Sequence, residues 1–253
     1  MEFEFYHYAA FIMAGLCAGF VDSIAGGGGI ISMPVLLAMG VPPHLALGTN
    51  KLQASFGSFT AAVNYSRKGL VSVSGIWKPV LFTAIGAAIG TVSIQMLSAD
   101  FLSKIIPFLL AAIFAYTLLT PQLGQEDRKA RMGKHMFYVS AGLTLGFYDG
   151  FFGPGTGSFW TIGLVLLLGL DLKKATALTK VVNFTSNIVA LTAFILGGNV
   201  LFTIGLLMGG GQMAGAFLGS RMVIVRSVGF VRNVFLAVVG VTLAKLIWDT
   251  TCG

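Results

Sequence analysis

Two glycine-rich segments of this chain are near-copies of each other, and each interrupts an apolar stretch. Residues 19–34 read GFVDSIAGGGGIISMP, and residues 146–160 read GFYDGFFGPGTGSFW. Three pairs of matched residues are 127 positions apart: Asp22 and Asp149, Gly26 and Gly153, Gly28 and Gly155. Lys51 and Lys180 match at an offset of 129. We therefore predict a duplicated membrane protein with a broken apolar segment near the start of each half. In transporters such a pair of interrupted segments is the best sequence indicator of the substrate site.

Charged residues are too scarce for a water-soluble surface. They make up 10% of the chain, 56% is hydrophobic and the mean hydropathy is +0.87, whereas soluble domains carry about 25% charged residues. The apolar runs are long and do not alternate, which favours membrane helices over a β-barrel. The net charge of +7 comes from basic residues between apolar runs, where they orient a chain in the bilayer. A nucleic-acid partner is therefore not expected.

The apolar runs predict which segments cross the bilayer. About 20 apolar residues are needed for a crossing, so the third, fourth and fifth runs of each half qualify. The second run of each half has only about 13 residues. We predict that the first two runs of each half form a hairpin of short or broken helices around the glycine loop. The runs are 8–25, 29–41, 44–66, 71–97 and 101–120, then 136–152, 157–170, 174–197, 199–220 and 229–248.

The distribution of basic residues predicts how the halves are oriented. A first repeat, 1–120, and a second repeat, 136–253, flank the basic linker 121–135, which is cytoplasmic by the positive-inside rule. Counting outward, the loop with Arg67 and Lys68 is inside, whereas its uncharged counterpart at 197–199 is outside. The fold class is therefore an all-α membrane protein of two inverted repeats, with about 8 spans and both termini outside. Parallel repeats are the alternative.

The glycine loops are the first candidate binding feature. Without side chains, their backbone N–H groups are able to face a cavity, and the short helix that follows points its N-terminus there. Such N–H groups bind anions without any charged side chain. The alternative is that glycine only permits close helix contact, as we predict for the pairs Gly86/Gly90 and Gly215/Gly219. The candidate substrate-binding residues of the loops are Gly26, Gly27, Gly28, Gly153, Gly155 and Thr156.

Lys51 and Lys180 form the second candidate feature, because each lies about two turns inside a long apolar run. An intramembrane cation is costly and marks a partner, a cavity or a pathway. Polar residues on the same two segments predict a stripe that faces the protein interior, since a stripe facing lipid is untenable. We expect this path to bind a small anion, or the lysines to form structural ion pairs with Asp22 and Asp149. The other stripe residues are Asn50, Gln53, Asn183 and Asn187.

Asp22 and Asp149 each stand four residues before a loop glycine. They are predicted either to cap loop N–H groups and neutralise a lysine, or to carry a proton, because apolar surroundings disfavour a charged carboxylate. Gln212 is interpreted as a contact between helices. The chain has no nucleophile elbow, HExxH or Walker loop and no metal-ligand spacing. We therefore expect no enzyme activity, no cofactor and no metal site, and the oligomeric state is left open.

The segments at 19–55, 146–159 and 175–187 resemble the sulfite exporter TauE/SafE family, also called the toluene-sulfonate uptake permease family. The likeness runs from about residue 10 to 248 and is closest to members described as probable membrane transporters. It implies a multi-pass protein of the cell inner membrane that moves a sulfur-containing anion such as sulfite or an organosulfonate. The predicted function is a secondary transporter that works by alternating access. The alternatives are a passive anion channel or a carrier of another small anion such as a carboxylate.

Overall fold

The computed structural model describes residues 4–71, 75–119 and 129–225, and the regular elements in these residues are all α-helices. Helix is expected because lipid offers no hydrogen bonds, so each backbone N–H and C=O must be satisfied within the segment. The helices are α1 (Phe5–Ala25), α2 (Gly28–Ala38), α3 (Pro43–Arg67), α4 (Trp77–Gln95), α5 (Ala99–Leu119), α6 (Lys134–Phe151), α7 (Thr156–Leu166), α8 (Leu172–Leu196) and α9 (Phe202–Val225).

Four helices in the described ranges are long and apolar enough to cross a membrane: Tyr6–Ala25 in α1, and α4, α8 and α9. Large apolar side chains such as Phe108 and Leu196 are exposed on the outside of the bundle, as expected for a surface that faces lipid. The helix α3 has 25 residues but is not among the four, because it carries a buried polar face. The predicted run 229–248 and the linker residues 121–128 lie outside the described residues.

The structure differs from the sequence prediction at α1. We expected a short or broken helix there, but α1 is continuous over 21 residues and ends at Gly26. Its internal glycines, Gly15 and Gly19, lie against the backbone of α9. These glycines therefore serve close helix packing and do not interrupt the helix. The second helix of each half is short: α2 and α7 have 11 residues each. The interruption is therefore confined to the segments between α1 and α2 and between α6 and α7.

Glycines allow the helices to pack with their backbones in contact. A Cβ atom on Gly90 of α4 would lie 2.8 Å from the Phe151 nitrogen at the end of α6. A Cβ atom on Gly215 of α9 would lie 2.7 Å from the Phe20 nitrogen of α1. Since real Cβ atoms do not approach backbone this closely, only glycine fits. The predicted role of these glycines in close helix packing is confirmed.

The main helix contacts join the first half of the chain, α1–α5, to the second half, α6–α9. Helix α1 packs along α9, and α4 packs along α6. Helix α3 also contacts α9, and helix α8 contacts α4. Helices α3 and α8 contact each other as well. Between α3 and α8, the Asn187 side-chain amide lies 3.5 Å from the Ser58 hydroxyl, and these two positions match at the offset of 129. The contacts of α9 with α1 and with α3 thus have counterparts in the contacts of α4 with α6 and with α8.

Candidate functional site

The two glycine loops meet in the buried interior of the described helices. Gly26 has φ of 78°, Gly153 of 103° and Gly155 of 82°, a left-handed conformation that costs glycine little. A Cβ atom on Gly26 would lie 2.6 Å from the Ser158 amide nitrogen, and one on Gly157 would lie 2.5 Å from the Gly26 Cα. The loops therefore touch backbone to backbone, which places the ends of α1 and α6 beside the starts of α2 and α7.

The buried lysines form two ion pairs, and each pair joins the two halves of the chain. Lys51 Nζ lies 2.7 Å from Asp149 Oδ1, and Lys180 Nζ lies 3.0 Å from Asp22 Oδ2. Their side chains are 1% and 0% exposed, so both ammonium groups are buried. Of the two arrangements expected from the sequence, the ion pairs are present, and each lysine pairs with the aspartate of the opposite half. A single charge left behind in such a place is strongly destabilising.

The two ion pairs differ in how many hydrogen bonds hold the carboxylate. Asp149 also accepts a short hydrogen bond from the Ser186 hydroxyl, and Lys51 donates a second bond to the Asp149 backbone carbonyl. Asp22 has one further donor, the Gly28 amide at 3.4 Å. The Asp22 side chain is 14% exposed and that of Asp149 is 7% exposed. Asp22 is therefore the less firmly held carboxylate.

A small polar cavity of about 30 Å³ lies between the loops and helices α3, α8 and α9. Both halves line it, and ten of the predicted residues are in its wall: Asp22, Gly26, Asn50, Lys51, Asp149, Gly153, Gly155, Thr156, Asn183 and Asn187. The wall also contains Gly29, Ala54, Gly157 and Gln212, which the sequence analysis did not assign to the site.

Four predicted residues do not line the cavity. Gly27 is the N-cap of α2, and a Cβ on Gly28 would lie 2.7 Å from the Asp22 Cβ. Lys180 contributes through Asp22, to which it is paired. Gln53 donates to Asn50 Oδ1 at 2.7 Å, and Ser32 donates to the same atom at 2.6 Å. These residues support the side chains and backbone that form the wall.

Two residues of the cavity wall have an amide oxygen that lacks a hydrogen-bond partner. Asn183 Oδ1 and Gln212 Oε1 are buried and unbonded, and an unsatisfied buried polar atom costs about 1–3 kcal/mol. Gln212 was interpreted as a helix contact; its position as a buried amide within an apolar helix was the available signal for a site residue. Within the described residues, no group of three or more His, Cys, Asp or Glu is placed to hold a metal ion.

A bundle of apolar helices around a buried polar cavity, with lipid-facing apolar side chains outside, defines a helical membrane transporter. The profile of the family described as "Sulfite exporter TauE/SafE" matches residues 11–246. This chain belongs to the sulfite exporter TauE/SafE family, as its motifs suggested.

Several curated proteins resemble the chain over nearly its whole length. A "Probable membrane transporter protein" of Haemophilus influenzae is 44% identical over 241 residues, which cover 95% of this chain and 94% of the relative. The "Probable membrane transporter protein YfcA" of Escherichia coli K12 is 45% identical over 235 residues, covering 93% and 87%. "Probable membrane transporter protein YdhB" of Bacillus subtilis is 25% identical over 212 residues, covering 83% and 86%. No solved structure gives a significant match.

Proposed function

We propose that this protein is a secondary transporter that moves a small sulfur-containing anion, sulfite or an organosulfonate, across the cell inner membrane. The observation that carries the proposal is the cavity lined by both glycine loops, by the buried Lys51 and by amide side chains from both halves. The family description names sulfite export, and the relatives are named as transporters rather than enzymes.

The cavity wall suits a small oxyanion. Gly29 and Gly157 lie in the first turns of α2 and α7 and face the cavity. First-turn N–H groups have no partner within their own helix, and the positive end of the helix dipole attracts anions. Lys51 supplies a cation in the same wall. We assign substrate contact to these groups and to the amides of Asn50, Asn183, Asn187 and Gln212.

The cavity is small, which supports alternating access. About 30 Å³ is room for roughly two water molecules, whereas a sulfonate brings three oxygens, a sulfur and an organic group. Substrate entry therefore requires the halves to separate at the loops. Rocking of one half against the other around a central site is how many transporters with internal repeats work.

We further propose that the chain consists of repeats at 1–120 and 136–253, joined by the cytoplasmic linker 121–135, with inverted topology, about eight spans and both termini outside. Contacts that recur with the halves exchanged, such as α1 with α9 and α4 with α6, are what a two-fold relation requires. The reversal of charge bias between matched loops favours a two-fold axis in the membrane plane over one along its normal.

The proposal is tested by flux in proteoliposomes of purified protein. We expect saturable uptake of sulfite or a small sulfonate that is accelerated when the opposite side contains the same anion. A passive channel would conduct without such counterflow stimulation. Uptake of carboxylates but not of sulfur anions would show that the substrate is a carboxylate instead. Absence of any anion flux by folded protein would contradict the transport function.

Lys51→Ala is expected to lose transport, and because it also leaves Asp149 unpaired, the double change Lys51→Met with Asp149→Leu is expected to lose transport as well while keeping the fold.

A further inference from the structure

We infer that the anion crosses together with one proton and that Asp22 is the group that carries this proton. The inference rests on the proposed function and identifies its driving ion. Its basis is the charge of the cavity in this structure. Two lysines, Lys51 and Lys180, are matched there by two aspartates, Asp22 and Asp149.

The cavity is electrically neutral before any substrate enters. Among the described residues in its wall, the charged ones are Asp22, Lys51 and Asp149, and Lys180 stands directly behind Asp22. A monoanion added to this set leaves one uncompensated negative charge in a buried site between membrane helices. Such a charge is strongly disfavoured. One proton bound with the anion restores neutrality.

Asp22 is the carboxylate from which a lysine is most easily released. Its ion pair is 3.0 Å long, and its second donor, the Gly28 amide, is at 3.4 Å. Asp149 is held at 2.7 Å by Lys51 and also by the Ser186 hydroxyl. Charge-assisted hydrogen bonds are the strong ones, and a protonated carboxyl loses them. Protonation therefore disturbs fewer and longer bonds at Asp22 than at Asp149.

The groups around Asp22 do not offer a competing proton acceptor. From α8 it faces Lys180, and across the cavity lies the ion pair of Lys51 and Asp149. From α3 comes Tyr65, whose hydroxyl donates to the Ser23 carbonyl beside Asp22. The adjoining first turns of α2 and α7 present Gly29, Thr156 and Gly157 to the cavity. Asp149 is the one other carboxylate there, and Lys51 and Ser186 hold it.

The exchange balances in charge and atoms. A proton binds the Asp22 carboxylate and makes it neutral, and Lys180 is released from its ion pair. The ammonium of Lys180 then compensates the incoming anion. When the site opens to the other side, anion and proton leave together and the ion pair forms again. One complete step transfers no net charge across the membrane.

The test uses methanesulfonate, because a sulfonate stays ionised and cannot carry a proton through the lipid by itself. Proteoliposomes of the full-length protein are given either a pH gradient at zero membrane potential or a potassium diffusion potential without a pH gradient. If one proton accompanies each anion, a gradient of one pH unit drives about tenfold accumulation of methanesulfonate, and the membrane potential alone drives none. Accumulation that follows the potential instead of the pH gradient overturns the inference but leaves the transport function standing. No movement of methanesulfonate or sulfite under either condition contradicts the transport function itself.

Two matched variants test the choice of carboxylate. Asp22→Asn mimics the protonated state, so its transport is slower and the remaining flux follows the membrane potential rather than the pH gradient. In Asp149→Asn, the surviving flux still follows the pH gradient. The opposite pattern, with coupling lost in Asp149→Asn and kept in Asp22→Asn, overturns the assignment. If either variant fails to fold, the wild-type comparison of the two gradients still decides whether a proton is carried.

Discussion

The contact between the glycine loops is best tested by adding a single methyl group. In Gly26→Ala the new Cβ lies 2.6 Å from the Ser158 nitrogen and the residue must keep φ of 78°. The left-handed conformation costs about 1–2 kcal/mol for a residue with a side chain. The overlap with backbone of the other half adds about 1–3 kcal/mol, by analogy with overpacked cores. We expect Gly26→Ala to lose roughly 2–5 kcal/mol of unfolding free energy.

The chain contains a control for each part of this cost. Gly40 has φ of 77°, but a Cβ atom there meets nothing within 4 Å, so Gly40→Ala carries only the conformational cost. Gly157 lies in helix α7, and its Cβ would lie 2.5 Å from the Gly26 Cα, so Gly157→Ala carries only the overlap. Comparison of the three variants separates the two effects.

Thermal unfolding of the purified protein in detergent provides the measurement. At about 2–4 °C per kcal/mol, the overlap places the midpoint of Gly26→Ala roughly 2–12 °C below that of Gly40→Ala. Gly157→Ala should show a decrease close to this difference. Equal midpoints for Gly26→Ala and Gly40→Ala would show that the loops are not in backbone contact and would refute the reasoning.

Three further changes test other parts of the structure. Lys51→Ala leaves Asp149 buried without its partner and should lower the unfolding free energy by about 3–5 kcal/mol. The double change Lys51→Met with Asp149→Leu should restore the melting temperature but not transport. Gln212→Leu removes a buried amide whose oxygen is unpaired, so the melting temperature of this variant should not fall while sulfonate uptake does; a parallel loss of both would indicate a purely structural residue. Gly90→Ala should separate α4 from α6 and lower the melting temperature, whereas Gly210→Ala, whose Cβ meets nothing within 4 Å, should not; similar melting of the two variants would argue against the helix contact.

The sequence predicted those features that follow from local composition. Scarce charge and long apolar runs predicted membrane helices, and the offset between Gly26 and Gly153 located both interruptions. Placement of Lys51 and Lys180 inside apolar segments predicted a buried polar interior, in which the structure places both. The composition and lysine inferences need only the residues of one span, and the inference from the offset needs only a comparison of two segments of the chain.

The features that the sequence could not give depend on contacts between distant segments. Lys51 and Asp149 are 98 residues apart, and Lys180 and Asp22 are 158 residues apart, so no local pattern determines which pairs form. The continuity of α1 was not predicted because the hairpin was inferred from the short second run, whereas Gly15 and Gly19 within α1 pack against the backbone of α9. Gln212 was assigned to packing because its exposure to the cavity depends on how α9 crosses the glycine loops.

Occupancy of the cavity by substrate is the central claim, and protection of a single cysteine tests it most directly. Ala54 lines the cavity, so Ala54→Cys, in a chain from which Cys17 and Cys252 have been replaced, should react with a small thiol reagent more slowly when the transported anion is present. The exposed Ser140→Cys on α6 should react at the same rate with and without the anion. We expect protection at Ala54→Cys at the anion concentration that half-saturates transport. Unchanged labelling of Ala54→Cys at concentrations that saturate transport would contradict it.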